Sequence, residues 1–435
     1  MAAINTISRS VKYGLHFAAA WPGAPLSVLY KLYWVIIFSV FHIQQYNYLI
    51  KHYKFHTLIE IIDNVGICLA FSLVCIRLLI AWTHQNLLRN ILSTMEKDCQ
   101  KYAIIDTNNV ISKTAHWSYR STTIIISISV ISTVFYAIGV FSSPEISATT
   151  HRKLLLKMDL PFDTDKSPVF ELVVFAQYFY QATSAFVYGL FTAFLLMLVL
   201  HVGCQIDIIC QTLLETPYKS EKQLKCFISR HQEIIIFTKK IEKLFTYIAL
   251  TQLVANTLIT CCLGYLTVIS LRINSGFAMF VKCVVFYMAC CLDAFVYCFA
   301  GEYLSIKSTQ QLIQHDLVTY PGALTKSKKK NRVFFIKNHS LFAYTLFDQI
   351  HFYVGLTISK LMGDTVYELL WYNIRPKEIR LLIPVILRCQ KGFTLTFGKF
   401  ASLSMESFTA VIDDNVKNVK TNVSTLSSIL YSYIN

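Results

Sequence analysis

The residues best equipped for chemistry in this chain are few, and most lie inside apolar runs. His231-Gln232-Glu233 sets an imidazole near a carboxylate. A zinc hydrolase would need a second histidine one helical turn away. That ligand is absent, so the triplet reads as part of a polar helix face. The chain has 13 cysteines, including the adjacent pairs Cys261–Cys262 and Cys290–Cys291. Adjacent residues rarely meet disulfide or metal geometry, so these read as small packing residues. No phosphate-cradling loop and no dinucleotide turn is present. Five polar side chains remain within apolar stretches: Gln177, Gln181, Asn256, Lys282 and Asp293. Ionisable groups inside a membrane are functional candidates by default. Lys282 can nevertheless snorkel outward and Asp293 sits toward the inner half, so structural roles compete. The residues predict no catalytic site, no metal and no cofactor.

The elements that carry these residues are set by composition. The chain has 435 residues, is 54% hydrophobic and 15% charged, and has a mean hydropathy of +0.48. A soluble protein carries roughly 25% charged residues to wet its surface. Here the bilayer must be the solvent. The net charge of +15 does not mark a nucleic-acid binder, because the cations sit in short loops between apolar runs. Tyr13–Pro25, with its Ala18-Ala19-Ala20 run, mimics a signal peptide weakly. It lacks a convincing hydrophobic region and is kept in the mature chain.

A hydrocarbon core of about 30 Å needs roughly 20 apolar residues in a helix. Seven segments qualify: Leu32–Ile50, Val65–Trp82, Thr122–Phe141, Val169–His201, Phe245–Leu271, Phe277–Ala300, and a last one made of Thr394–Ile412 plus Val423–Ile434. Loops on one side of these spans hold about 25 lysines and arginines against about 9 on the other, which places the N-terminus in the cytosol and the C-terminus outside. G-protein-coupled receptors have the opposite polarity. The fold expected is all-α and polytopic, with seven transmembrane helices.

Two helices should outrun the membrane. Val169 to Glu215 as one helix would be about 70 Å long, twice the membrane core. Beyond the headgroups its apolar stripe continues through Ile206, Ile209 and Leu213, and the fifth span enters through Ile234-Ile235-Ile236, Ile241 and Leu244-Phe245. Apolar stripes in water need cover from other helices. A cytosolic helical anchor bundle follows, built within one subunit or between subunits.

Several stretches resemble the insect odorant-receptor family. They are Trp21-Pro22; Gln181-Ala182-Thr183-Ser184 with His201-Val202-Gly203; Arg230-His231-Gln232-Glu233-Ile234 followed by Ile241-Glu242-Lys243-Leu244-Phe245; and Gly301-Glu302-Tyr303-Leu304-Ser305. The C-terminal part adds Tyr367, Trp371-Tyr372, Pro376, Leu387-Arg388-Cys389-Gln390-Lys391 and Phe397-Gly398-Lys399-Phe400. Their order covers nearly the whole chain. The resemblance implies an odour-tuning subunit of a ligand-gated, non-selective cation channel. It would assemble as a hetero-tetramer with an odorant co-receptor subunit, in the plasma membrane of olfactory sensory neurons. It also implies a pocket for a volatile organic ligand between the second, third, fourth and sixth spans. Phe71, Ser72, Phe135, Tyr136, Tyr178, Phe179, Phe286 and Tyr287 stand at suitable depth for such an apolar, aromatic pocket, with ordinary packing as the alternative role. Along the last helix Ser424, Ser428 and Tyr431 share one face and would line the pore.

The sequence departs from the family twice. Residues 1–308 carry the N-terminal segment and spans one to six, and 360–435 carry the split seventh segment. Between them lies 309–359, an atypical cytosolic insert, and 413–419 places Asp413, Asp414 and Lys417 inside the expected pore helix. Buried charge there costs about 2.5–3.5 kcal/mol per residue. Both read as retained intron sequence or gene-prediction errors; Val333–Ile358 as an eighth span is disfavoured by Lys337, His339, Asp348 and His351. A gustatory receptor of the same superfamily and a secondary transporter are the competing readings. The first usually ends in a Thr-Tyr…Gln-Phe signature absent here; the second shows internal repeats and broken spans, which this sequence lacks.

Overall fold

The computed structural model describes residues 7–23, 26–52, 58–102, 109–142, 152–215, 221–272, 277–309, 396–397 and 401–402. The described part is a helical bundle: α1 (Arg9–Phe17), α2 (Ser27–Ile37), a π-helical turn (Phe38–His42), α3 (Ile43–His52), α4 (Leu58–Thr83), α5 (Gln85–Tyr102), α6 (Val110–Ser142), α7 (Val169–Glu215), α8 (Glu221–Arg272) and α9 (Phe277–Thr309). Six stretches are long and apolar enough to cross a membrane, the first being α2 through α3. They contain the first six expected spans. Ser424, Ser428, Tyr431 and, but for Thr309, both inserts lie outside the described residues, as does the seventh expected span apart from 396–397 and 401–402. In that region Thr396–Phe397 and Ala401–Ser402 pair as a short antiparallel ladder, β1 and β2. The helix expected from Thr394 is therefore not helical there. Thr396 and Phe397 are strand-favouring types, and the adjoining Gly398 weakens helix.

The fourth span is the centre of the bundle. Its most apolar window is 83% buried, against 11% for the first span, which stands at the periphery. Side chains from Val187 to Val202 are buried almost without a break, so α7 is apolar all round because protein surrounds it. Small residues let neighbours approach it closely. A β-carbon at Gly14 would come within 2.5 Å of Leu190, and one at Gly189 within 2.6 Å of the Ser129 hydroxyl.

Helix α1 is too short and α5 too polar to span a membrane, and the sequence pattern alone did not separate them as elements. Helix α1 packs on α6 and α7 with Val11 and Leu15 fully buried. The carbonyls that follow it cannot bond within the helix. The Trp34 and Trp82 indoles donate to Phe17 O at 3.1 Å and Ala18 O at 3.0 Å, and the Gln85 amide donates to Ala19 O at 3.2 Å. Helix α5 is amphipathic, burying Leu88, Ile91, Leu92, Met95 and Cys99, a helical stripe laid on α8.

That stripe closes the expected anchor bundle. Ile206, Ile209, Ile234, Ile241, Leu244 and Phe245 are buried, so this face of α7 and α8 is covered within the chain, whereas Ile235 is half-buried and Ile236 is 55% exposed, pointing away from it. Polar contacts fix the same region. Arg230 donates to Asp98 at 2.9 Å, lies over the Tyr102 ring at 4.1 Å and pairs with Glu233; Gln205 donates to Asp98. Burial opposes ionisation of Asp98, but hydrogen bonding from His201 and the Arg230 charge hold its carboxyl below the usual range. Burial pushes the Tyr102 phenol up to about 12. Arg230 and His231 are buried while Gln232 and Glu233 are exposed, so of the triplet only Gln232 and Glu233 lie on an exposed polar face. Asp98 and Tyr102 of α5 draw Arg230 inward.

Candidate functional site

At the opposite end of the bundle, the 152–168 segment folds across the helices, burying Leu155, Leu156 and Met158. Gln177 acts as its clamp. The Leu156 N–H donates to Gln177 Oε1 at 3.1 Å, and Gln177 Nε2 donates to Leu156 O at 2.9 Å. This side-chain amide supplies both partners that a second backbone strand would supply. Lys157 pairs with Glu60 at 3.4 Å and Lys51 pairs with Asp159, tying the segment to α3 and α4.

Between the helices lies a partly open cavity of about 80 Å³. Helix α4 contributes Ile67, Ala70, Phe71 and Val74; α6 contributes Ser129, Ser132, Thr133 and Tyr136; α7 contributes Gln181, Ser184, Ala185 and Tyr188; α9 contributes Phe286, Ala289 and Cys290; and Ile259 of α8 completes the wall. The mixture of apolar wall with a few hydroxyls suits a small organic ligand. Among the described residues no group of His, Cys, Asp or Glu could hold a metal ion.

Of the eight residues expected near a pocket, Phe71, Tyr136 and Phe286 stand in this wall. Ser72 points to the first span instead: it donates to Cys68 O at 2.7 Å and meets Tyr46 Oη at 2.9 Å and His42 Nε2 at 3.2 Å. Phe135 and Phe179 are outward-facing, 39% and 48% exposed. Tyr178 is half-buried against the main core, and Tyr287 against the cluster of Leu73, Ile259 and Leu263. The reason is geometric. The expected residues came in adjacent pairs, and neighbours on a helix point about 100° apart; one member of three pairs faces this cavity and neither of Tyr178 and Phe179 does. Ser129, Ser132, Thr133, Ser184 and Tyr188 were missed. Only helix-by-helix facing would have found them.

The cavity floor is a buried polar network. Arg77 on α4 is fully buried; its guanidinium donates to Tyr188 O at 2.6 Å, to Asp293 at 3.2 Å, to Thr192 Oγ1 at 3.5 Å and to Gln252. Tyr188 Oη in turn donates to Asp293 at 3.0 Å and accepts from Gln252 at 2.7 Å. Gln252 reaches Asn256 at 2.8 Å, and Asn256 donates to Cys290 O at 3.3 Å. The Arg77 charge lies 4.2 Å from the Tyr188 ring centroid, within cation–π range. A charge in this setting persists only when paired and hydrogen-bonded. Sequence reading picked out Asp293 and Asn256 but not Arg77. The available signal was one arginine in the second span at a depth matching the one aspartate of the sixth. Near the covered end, Lys282 bonds both carboxylate oxygens of Asp63 at 2.9 Å and sits 4.9 Å from the Tyr136 ring. It is ion-paired inside the bundle rather than extended outward.

The sequence model of the 7tm odorant receptor family matches residues 57–311, more than half the chain. The chain belongs to the odorant receptor family. It is thus a multi-pass membrane receptor, not an enzyme. Among solved structures, the olfactory receptor OR5 of the insect Machilis hrabei superposes with a TM-score of 0.68 at 11% identity, covering 95% of this chain and 97% of that one. The same receptor in complex with eugenol superposes at 0.63, again at 11% identity over 95% and 97% of the two chains. At this identity the likeness concerns the fold. No curated protein sequence matches.

Proposed function

We propose that this odorant receptor is the odour-tuning subunit of a ligand-gated, non-selective cation channel, and that a volatile organic molecule binds in the cavity between α4, α6, α7 and α9. The observation that carries the reading is the cavity itself, apolar-walled and floored by a rigid ionic network. That a fold relative has been solved in complex with eugenol supports a small aromatic or aliphatic ligand. In this reading the subunit assembles as a hetero-tetramer with an odorant co-receptor in the plasma membrane of olfactory sensory neurons. The covered end of the bundle faces outward and the α5 end faces the cytosol, as the loop charges require. Ser424, Ser428 and Tyr431 line the pore. The segments 309–359 and 413–419 are retained intron sequence, and transcript reads spanning both would show otherwise.

The test is electrical. The chain, with and without both inserts, is expressed with and without co-receptor and exposed to a panel of volatiles. Odour-evoked cation currents are expected only with the co-receptor, and Ala185→Trp, which fills the cavity, should abolish them. Currents that survive Ala185→Trp unchanged would place the ligand elsewhere.

A further inference from the structure

Among the described residues most serine and threonine hydroxyls along the spans are already used, although Ser118 and the phenols of Tyr180 and Tyr297 are not. Ser129 donates to Ile125 O at 3.0 Å, Ser132 to Ser129 O at 2.7 Å, Thr133 to Val130 O at 2.7 Å and Thr183 to Phe179 O at 2.8 Å. This back-bonding is the usual way a helix satisfies a serine or threonine in an apolar setting. Ser184 does not do it. Its hydroxyl is buried in the cavity wall, 1% exposed, and has no hydrogen-bond partner. One turn earlier on the same helix, Gln181 also lines the cavity, is 8% exposed, and its Oε1 accepts from nothing. Buried polar atoms are ordinarily partnered. Two orphans on one wall of one cavity mark a place where a ligand supplies the missing bonds.

We propose that the cavity selects a neutral volatile alcohol, its O–H donating to Gln181 Oε1 and its oxygen accepting from the Ser184 hydroxyl. This rests on the reading that the cavity is the odorant site. Residues three apart on a helix are neighbours, with about 5–6 Å between β-carbons, a gap one hydroxyl group spans. A hydroxyl is at once donor and acceptor, which the two orphans require. An ether or ketone satisfies Ser184 but leaves the glutamine oxygen bare, and a hydrocarbon leaves both. Charged ligands are disfavoured because Arg77 and Asp293 neutralise each other, as do Lys282 and Asp63. The remaining wall, with Phe71, Val74, Ile259 and Phe286, takes the hydrocarbon body.

The full chain in lipid nanodiscs, titrated with a primary alcohol, its methyl ether, the matching ketone and the parent alkane of one carbon skeleton, tests this. Ligand-induced rise in melting temperature reports affinity. The alcohol should bind about tenfold more tightly than the ether or ketone, the cost of one unsatisfied buried acceptor, and more tightly still than the alkane. Gln181→Leu should erase the alcohol-over-ether preference while alkane binding persists, which also shows that the cavity is intact. Ser184→Ala should weaken alcohol and ether alike. An ether or ketone that binds wild type as well as the alcohol overturns the proposal and leaves the odorant cavity standing; so does an alcohol preference that survives Gln181→Leu. If no compound binds wild type, the cavity reading fails and the proposal with it. Should Gln181→Leu not fold, the wild-type ranking decides alone.

Discussion

Removing Asp293 should be far more damaging than removing both members of its ion pair. In Asp293→Ala the Arg77 guanidinium, fully buried with Asp293 as its paired carboxylate, is left as an uncompensated charge within the spans. Thr192 and Tyr188 lose their shared acceptor at the same time. Breaking a buried pair from one side costs about 3–5 kcal/mol, a large part of a typical folding stability of about 5–15 kcal/mol. Arg77→Ala strands the carboxylate and should cost a similar amount. Replacing both, as Arg77→Met with Asp293→Leu, removes the desolvated charges together, and such swaps are often neutral or stabilising. The double variant should therefore be more stable than either single. A fluorescent fusion of the full chain, extracted and heated before size-exclusion chromatography, gives the monodisperse fraction for each variant. Both singles should lose most of it and the double should recover it. Singles that behave as wild type, or a double as damaged as the two singles combined, would refute the claim that this pair is a mutually dependent unit.

Three further outcomes follow from the geometry. Gln177→Leu strands the buried N–H and C=O of Leu156, costing about 1–3 kcal/mol for each unsatisfied group; hydrogen exchange should show the Leu156 amide losing protection while the α5 end keeps its own. Gly189→Leu drives a β-carbon to 2.6 Å from Ser129 Oγ, an overpacking cost of about 1–3 kcal/mol, and displaced α6 should shift ligand affinity in nanodisc titrations as well as melting temperature. The depressed carboxyl of Asp98 stabilises the folded state above the unfolded value of about 3.9, and that contribution disappears as pH falls through the folded value. Melting temperature should drop on acidification below about pH 4, and Asp98→Asn should be less stable at neutral pH yet show a shallower acid decline.

The first six spans and the overlong helices were readable because bilayer thickness imposes a length on every apolar run. Val169 to Glu215 is one helix with the ends expected of it. The anchor-bundle stripes of α7 and α8 were equally plain, since helical periodicity is local. What covers them was not: α5 shows only modest apolar content, and its partner is set by the Asp98–Arg230 contact between residues distant in sequence. The cavity wall depended on rotation. Phe71 and Ser72 occupy the same depth, yet only Phe71 faces inward. Arg77 was overlooked because a lone cation in an apolar run looks like an anomaly until Asp293 from a different span is set beside it.

The account stands most directly on where an activating volatile sits. A cryo-electron-microscopy structure of the receptor with such a ligand should show density bounded by Phe71, Tyr136, Tyr188 and Phe286, above the Arg77–Asp293 pair. Ligand density anywhere else, with this cavity empty, would contradict it.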